Sequence, residues 1–195
     1  MSTVMNSPAW VRAPHRKLSV DDYHRMAETG IFGPEERVEL IEGEIIDMAP
    51  IGYVHADLNS LLIRRLGYPT EGRAIPWVQN PIHLAPHSEP QPDFVLLRHR
   101  TEGYRGGLPS AADVLLLVEI ADTTLRYDRK VKIPLYARHG IPEYWIVNAA
   151  KKQVEVHLDP DPASGCYRTT RTLTEGKLTP ACFPDLALDI GELLR

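Results

Sequence analysis

The segment from Val114 to Asn148 constrains the fold more than any other part of the chain. It begins with the apolar run VLLLVEI, continues through a helix-favouring stretch from Leu125 to Arg138, and ends with the strand-like EYWIVN. Near-continuous apolar strands are typical of sheets covered on both faces, and strand–helix–strand units with parallel strands are right-handed. The segment therefore predicts a parallel crossover at the centre of an α/β domain.

Patterns outside this segment predict the surrounding elements. A helix is expected from Ser19 to Thr29, because Ser19 and Asp22 have the spacing of a capping box. The alternating segment RVELIEGEIIDM predicts a β-hairpin that turns at Glu42 and Gly43. Further expected elements are a helix over 55–66, strands over 75–79, 81–84 and 93–97, a strand VEVHL paired with EYWIVN, and two weaker strands near the C-terminus. The sequence thus predicts an α/β fold with a mixed central β-sheet, flanking helices and an N-terminal β-hairpin.

Length and composition fit one globular domain. The chain has 195 residues, of which 43% are hydrophobic and 25% charged, as in ordinary soluble domains. We expect a loosely ordered arm over residues 1–17, which carries Pro8 and Pro14, and a single domain over 18–195. No apolar run approaches about 20 residues, so we expect no membrane contact. Cys166 and Cys182 show neither metal-site nor disulfide spacing, and without a signal-peptide core this favours the cytoplasm.

Charge and missing motifs narrow the function classes. The net charge of −4 excludes a generally basic surface, so contact with nucleic acid has to come from a local patch. No Walker loop, zincin motif or nucleophile elbow occurs, which removes the usual signatures of nucleotide hydrolysis, zinc proteolysis and serine esterase chemistry. The candidate basic residues for a local patch are Arg98, Arg100, Arg105, Arg126, Arg129 and Lys130.

Two carboxylates occupy strand positions that favour apolar residues. By simple alternation, Glu119 shares one face of its strand with Leu115 and Leu117. Asp93 follows Pro92 and opens the next predicted strand upstream. A buried carboxylate without a partner raises its pKa or binds a cation. If the two strands are neighbours, both acids meet at one end of the sheet.

The helix after Glu119 carries Asp128, Lys132 and Tyr136 four residues apart, so these side chains form one stripe that could face the acids. Lys130 points about 160° away from Lys132 in a regular helix. Carboxylates beside one ammonium suit phosphodiester hydrolysis with a hard divalent ion such as Mg²⁺, which takes oxygen ligands and keeps several waters. The lysine would orient the attacking water and offset charge in the transition state.

The same residues carry a resemblance to a known family. Pro92–Asp93, Val118–Ile120 with the following DRKVK, the segment GIPEYWIVN, and RVELIEGEIIDMAP with His55 are similar to the Uma family of predicted restriction endonucleases. That family belongs to the PD-(D/E)xK nuclease superfamily, and the resemblance runs from about Leu18 to the C-terminus. It implies a restriction-endonuclease-like core and Mg²⁺-dependent cleavage of nucleic acid, with Mn²⁺ as a substitute.

The resemblance also implies residue roles. Asp93 looks like the metal-binding aspartate, Glu119 like the second acid, and Glu39 like an additional metal-binding acid from the N-terminal half. The superfamily lysine is expected at position 121, where Ala121 stands. The resemblance puts the substitute on the next helix at Lys132, and Lys130 stays as the less favoured alternative.

Four further residues are accessory candidates, and all the candidates have structural interpretations as well. The accessory residues are His55, Gln79, Asp128 and Tyr136; Asp128 could instead cap its helix, and the Tyr136 ring could pack in the core with its hydroxyl bonded. Asp93 could be a turn residue, Glu119 a salt-bridge partner, Glu39 a solvated hairpin acid, and Lys132 an i,i+4 partner of Asp128.

The sequence hypothesis is a metal-dependent endonuclease that hydrolyses DNA. Cleavage of both strands of a duplex would favour a homodimer with two sites. The alternative is a non-catalytic nucleic-acid-binding or assembly module that retains the nuclease fold, which the net acidity and Ala121 support.

Overall fold

The computed structural model describes residues 15–121 and 124–194. Of the predicted arm over 1–17, residues 1–14 lie outside the described residues, and residues 15–17 form neither helix nor strand. In chain order the elements are α1 (Val20–Glu28), β1 (Val38–Ile41), β2 (Glu44–Asp47), α2 (Tyr53–Leu62), β3 (Ala74–Val78), β4 (Phe94–Arg98), β5 (Val114–Ala121), α3 (Leu125–Tyr127), α4 (Ile133–Arg138), β6 (Glu143–Asn148), β7 (Gln153–Asp161), β8 (Cys166–Leu173), β9 (Lys177–Leu178), β10 (Leu188–Asp189) and α5 (Ile190–Leu193).

A mixed six-stranded sheet forms the centre of the fold. Its strand order is β3-β4-β5-β6-β7-β8, and each strand is antiparallel to its neighbours except for the parallel pair β5 and β6. The connection between that pair runs through α3 and α4, as the apolar strand–helix–strand pattern predicts. The predicted α/β class with a mixed central sheet is therefore confirmed.

Two hydrophobic layers cover the sheet. On one face, α2 and the C-terminal segment pack against the sheet, and this cluster includes Leu62, Trp145 and Leu193. On the other face, α4 packs through Leu135 against a cluster that includes Tyr144. Tyr144 and Trp145 thus point to opposite faces of β6, in agreement with strand alternation.

A β-bulge changes the side-chain alternation at the start of β5. Leu96 of β4 pairs with Leu116 while Leu97 pairs with Val114, which leaves Leu115 as the extra residue. The prediction that Leu115 shares a face with Glu119 is therefore wrong, since Leu115 packs with the cluster on the α2 side of the sheet. Leu117 lies in the opposite cluster, on the face predicted for Glu119.

The N-terminal hairpin of β1 and β2 is tied to the segment that leads into β4. The amide of Gly43 donates to the carbonyl of His87 at 2.7 Å, and the amide of Glu89 donates to the carbonyl of Leu40 at 2.7 Å. Helix α1 begins with the predicted capping box between Ser19 and Asp22 and packs on the hairpin. These contacts fix β1 close to the residues that precede β4.

Three predicted elements are not formed as expected. Residues 81–84 form no strand, because this proline-bearing segment turns back so that Leu84 and Ser88 exchange backbone hydrogen bonds. The helix expected over 55–66 starts at Tyr53 and continues through a π-helical turn at 63–67 and a 3₁₀ turn at 68–70. The helix expected over 125–138 contains a π-helical turn at 128–132 between α3 and α4. Among the helices that the structure describes, none has the length and apolarity needed to cross a bilayer.

Candidate active site

Asp93 and Glu119 meet at the ends of two neighbouring strands. Phe94 pairs with Val118 in the β4–β5 ladder, so the preceding Asp93 lies opposite Glu119. The amide of Asp93 donates to Glu119 Oε2 at 3.2 Å, and Asp93 Oδ2 accepts from the amide of Ile120 at 2.8 Å. The two strands are neighbours, and their pairing brings the two acids together.

Glu39 reaches the same place from the hairpin. Its Oε2 atom accepts from Lys132 Nζ at 2.7 Å and from the amide of Gln91 at 3.2 Å. Lys132 Nζ also lies 3.3 Å from Glu119 Oε1, so a single buried ammonium joins the hairpin acid to the sheet acid. Charge-assisted contacts of this kind hold buried carboxylates far better than neutral ones.

A π-helical turn presents Asp128 and Lys132 to the site. Both side chains are buried, whereas Lys130 is exposed, so the structure places Lys132 rather than Lys130 among the acids. Asp128 Oδ2 accepts from Thr124 Oγ1 at 2.8 Å. The Tyr136 ring packs in the core, and its hydroxyl donates to Glu119 Oε1 at 2.8 Å. Tyr136 is therefore both a core residue and a neighbour of the acids.

Helix α2 supports Asp93 from the other side. His55 Nε2 lies 2.7 Å from Asp93 Oδ1, and Asn59, one turn later, donates from Nδ2 to the Asp93 carbonyl at 3.1 Å. Gln79 donates to the same carbonyl from its backbone amide at 3.2 Å. The side chain of Gln79 is outside the set of described residues that line the pocket, so this candidate contributes through its backbone.

The acids surround a pocket of about 300 Å³. Its described lining residues carry five carboxylates and two permanent cations, Arg37 and Lys132, together with His55. The carboxylates are those of Glu39, Asp47, Asp93, Glu119 and Asp128. The pocket is therefore strongly acidic, although the ammonium of Lys132 offsets part of the charge.

Burial, together with the neighbouring charges, shifts the pKa values of the acids in the site. Burial, reinforced by the charges of Asp93, Asp128 and Glu39 and opposed by Lys132, raises the pKa of Glu119 to about 8. Burial likewise raises the pKa of Asp128 to about 6, although Thr124 and Lys132 oppose the rise. Burial disfavours the Lys132 ammonium, yet Glu119 and Glu39 outweigh it, and the pKa of Lys132 is raised above its ordinary value.

The donor atoms suit a hard divalent cation, but they are not assembled around one point. Mg²⁺ and Mn²⁺ prefer carboxylate oxygen ligands, and Glu39, Asp93 and Glu119 supply these beside an acidic pocket. Within residues 15–121 and 124–194, however, no three His, Cys, Asp or Glu side chains are placed to hold one ion as they stand. The carboxylate oxygens are instead bound by Lys132, His55, Tyr136 and backbone amides. Metal binding would require the carboxylates to reorient.

Sequence patterns did not indicate several residues of the site. Tyr127 lines the pocket, and its hydroxyl lies 3.4 Å from Glu39 Oε1. Arg37 also lines it, because Arg37 and Glu39 are two residues apart and share a face of the chain entering β1. Alternation along RVELIEG could have indicated Arg37, because a residue two positions before Glu39 in an extended chain lies on the same face as Glu39.

Comparison with known proteins agrees with this architecture. A match to the Uma2 family, described as "Putative restriction endonuclease", covers residues 20–191, and the chain belongs to this family. The crystal structure of "a putative nuclease belonging to DUF820" from Anabaena variabilis is similar with a TM-score of 0.70 and 18% identity, over 91% of this chain and 97% of that one. At this identity the likeness shows the fold, and it confirms the restriction-endonuclease-like class. No curated protein matches the sequence.

Proposed function

We propose that this protein is a metal-dependent endonuclease that hydrolyses phosphodiester bonds in DNA. The observation that carries the proposal is the meeting of Glu39, Asp93 and Glu119 with one buried ammonium, Lys132, in a pocket where carboxylates outnumber cations. A substrate phosphate cannot approach such a pocket favourably unless a cation offsets the carboxylates. The family description supports a nucleic-acid substrate.

Glu39, Asp93 and Glu119 would hold Mg²⁺, or Mn²⁺ in its place. When bound, such an ion supplies Lewis acidity at a phosphate oxygen and lowers the pKa of a bound water. The amide of Ile120 and the imidazole of His55 bind the two oxygens of Asp93 and keep this residue in the site, although its carboxylate would reorient to bind the ion. Hydrogen bonds from neighbouring groups to a metal-binding side chain orient that side chain and tune its basicity.

Lys132 acts beside the carboxylates. Its ammonium stays charged, because the pKa of Lys132 is raised, and it can therefore orient a water and offset negative charge that develops on the phosphate. Tyr136 donates to Glu119 and limits the directions in which that carboxylate can turn. Asp128 remains a buried acid beside the pocket, held by Thr124, and we assign it an accessory electrostatic role.

A second candidate function follows from the contacts of the carboxylates. Lys132, Tyr136, His55 and backbone amides already satisfy the three acids, and Ala121 stands where the superfamily lysine is expected. A nucleic-acid-binding or assembly module that keeps the fold without cutting would show the same closed network. Cleavage and metal binding distinguish the two functions.

The test of the nuclease is incubation of the purified protein with supercoiled plasmid and with single-stranded DNA in Mg²⁺, Mn²⁺ or EDTA. Glu119→Gln removes a proposed ligand, and Glu44→Gln makes the same side-chain change at an exposed position on β2 outside the pocket. We expect metal-dependent cleavage by wild type and Glu44→Gln, and a rate lower by about 100-fold or more in Glu119→Gln. Equal cleavage by all three proteins would contradict the assignment of Glu119 to the active site. Cleavage by none would favour the binding module.

A further inference from the structure

The cations near the proposed site differ in whether they are free to meet a substrate. Within the described part of the chain, the guanidinium of Arg129 is paired with Glu155, that of Arg100 with Asp113, and that of Arg98 with the carbonyl of Ala112. The ammonium of Lys132 is paired with the carboxyl groups of Glu39 and Glu119. Arg126 and Lys130 are exposed but do not line the acidic pocket. The arginine-bearing loop at 98–107 likewise lies outside the pocket lining.

Arg37 combines two properties that each of the cations named above has only singly or not at all. It lines the acidic pocket, and it is exposed to solvent. In the described residues its guanidinium makes no hydrogen bond or ion pair, although Asp47 lies on the same pocket wall. Its backbone is fixed, because the Arg37 carbonyl accepts from the amide of Met48 at 2.9 Å. As far as the described residues show, the side chain is therefore an unpaired planar donor on an anchored backbone.

The strand sets the position of Arg37 relative to the reacting centre. Two residues of extended chain separate Arg37 from Glu39 by about 7 Å. Glu39 is bound to Lys132 inside the pocket, so Arg37 lies further out along the same wall. A guanidinium is suited to phosphate because its forked donors match two phosphate oxygens.

We propose that Arg37 binds a backbone phosphate of the nucleic acid adjacent to the phosphate that lies over the carboxylates. This inference rests on the proposed function and deepens it, because it assigns the substrate contact to the N-terminal hairpin instead of the arginine-bearing loop at 98–107. Such a contact carries no base specificity, and it positions the nucleic-acid strand over Glu39, Asp93 and Glu119. Arg37 is thus a positioning residue whose loss weakens binding at every sequence.

The experiment measures binding without requiring cleavage. A fluorescein-labelled oligonucleotide, single-stranded or duplex, is titrated with wild type, Arg37→Gln or Arg105→Gln, and fluorescence anisotropy is followed in EDTA and in Mg²⁺ at several salt concentrations. Arg105 is an exposed arginine of the 98–107 loop, so its variant matches the charge change. We expect Arg37→Gln to weaken binding about tenfold and to reduce the slope of log K against log salt by about 0.7–0.9, and Arg105→Gln to leave both unchanged.

The outcomes separate this inference from the proposed function. Equal effects of Arg37→Gln and Arg105→Gln, or a salt slope that Arg37→Gln does not change, would overturn the assignment of Arg37. Absence of binding by wild type would also overturn it. Arg37-dependent binding without any metal-dependent cleavage would support Arg37 as a phosphate contact and contradict the nuclease. Because Arg37 is exposed, a thermal melt of the variant serves as the folding control.

Discussion

At the scale of single residues, the site is a cluster of buried carboxylates joined by one ammonium. The sequence predicted Asp93 and Glu119 because acids at apolar strand positions need a partner, and it preferred Lys132 to Lys130 by helical phase. Tyr127 was missed for a physical reason. In a regular helix, residues five apart lie on different faces, whereas the π-helical turn aligns them and brings Lys132 Nζ to 5.9 Å from the Tyr127 ring centroid.

The first prediction concerns the charge balance of this cluster. Lys132→Met removes the only cation bound to Glu39 and Glu119 in the described residues and leaves the Glu39 carboxylate buried without a charged partner. We expect a loss of about 3–5 kcal/mol in the free energy of unfolding, whereas the exposed Lys130→Met changes it by less than about 0.5 kcal/mol. Urea unfolding in EDTA at pH 7 measures both variants. Similar losses in the two would contradict the buried ion cluster.

The second prediction concerns pH. The pKa of Glu119 is raised from 4.5 in ordinary surroundings to about 8 in the fold, so between these values the folded protein keeps a proton that the unfolded chain has released. The free energy of unfolding therefore falls as pH rises through this window. Asp128 contributes in the same direction only up to about pH 6.

Glu119→Gln should remove the Glu119 contribution. The difference in free energy of unfolding between wild type and Glu119→Gln is expected to move in favour of the variant by up to about 1.4 kcal/mol per pH unit between pH 6 and 8. Urea unfolding of both proteins in EDTA at half-unit pH steps measures this difference, in which titration common to both cancels. A difference that stays constant over this range would contradict a raised pKa at Glu119.

At the scale of elements, the hairpin of β1 and β2 delivers Glu39 and Arg37 to the sheet. Its existence was predictable from alternation and from the turn at Glu42 and Gly43. Its docking on residues 87–89 was not, because local patterns do not report contacts between segments about 45 positions apart. The bulge at Leu115 was hidden for a similar reason, since it depends on the register with β4.

The third prediction tests a second close contact of the hairpin, between its turn and Lys17 in the segment before α1. Gly43 has φ of 85°, and a Cβ there would lie 2.5 Å from Lys17 Cβ and 2.9 Å from Lys17 Cα. Gly72 has a similar φ of 75° with nothing within 4 Å of its Cβ position. We expect Gly72→Ala to lower the free energy of unfolding by about 1–2 kcal/mol from backbone strain alone, and Gly43→Ala by about 3 kcal/mol or more. Equal losses, measured in urea, would show that the hairpin does not need this close contact.

At the scale of the entire chain, the two hydrophobic layers share one sheet. The crossover and the α/β class were predictable because they follow from local apolar patterns, and the single domain over 18–195 remains a prediction. Trp145 lies in the layer under α2, and Trp77 packs against the opposite layer. The two indoles therefore report separately on the two faces.

The fourth prediction follows from this arrangement. Trp10 lies outside the described residues and is replaced by Phe in both reporters. Trp10→Phe with Trp77→Phe leaves Trp145, and Trp10→Phe with Trp145→Phe leaves Trp77. If the layers form one cooperative unit, the urea transition seen by fluorescence coincides with that seen by far-UV circular dichroism in each variant. Separate midpoints within one variant would contradict a single domain.

Whether the carboxylate cluster binds a divalent cation is decided by a calorimetric titration of Mn²⁺ into wild type, Glu119→Gln and Glu44→Gln at pH 7.5. We expect one saturable site in wild type and Glu44→Gln, with an affinity at least about tenfold weaker in Glu119→Gln, or about 1.4 kcal/mol. Because the pKa of Glu119 is about 8, binding to wild type should release protons, so the measured heat should vary with the ionisation enthalpy of the buffer. No saturable binding by wild type, or identical isotherms for all three proteins, would contradict a metal site at Glu39, Asp93 and Glu119.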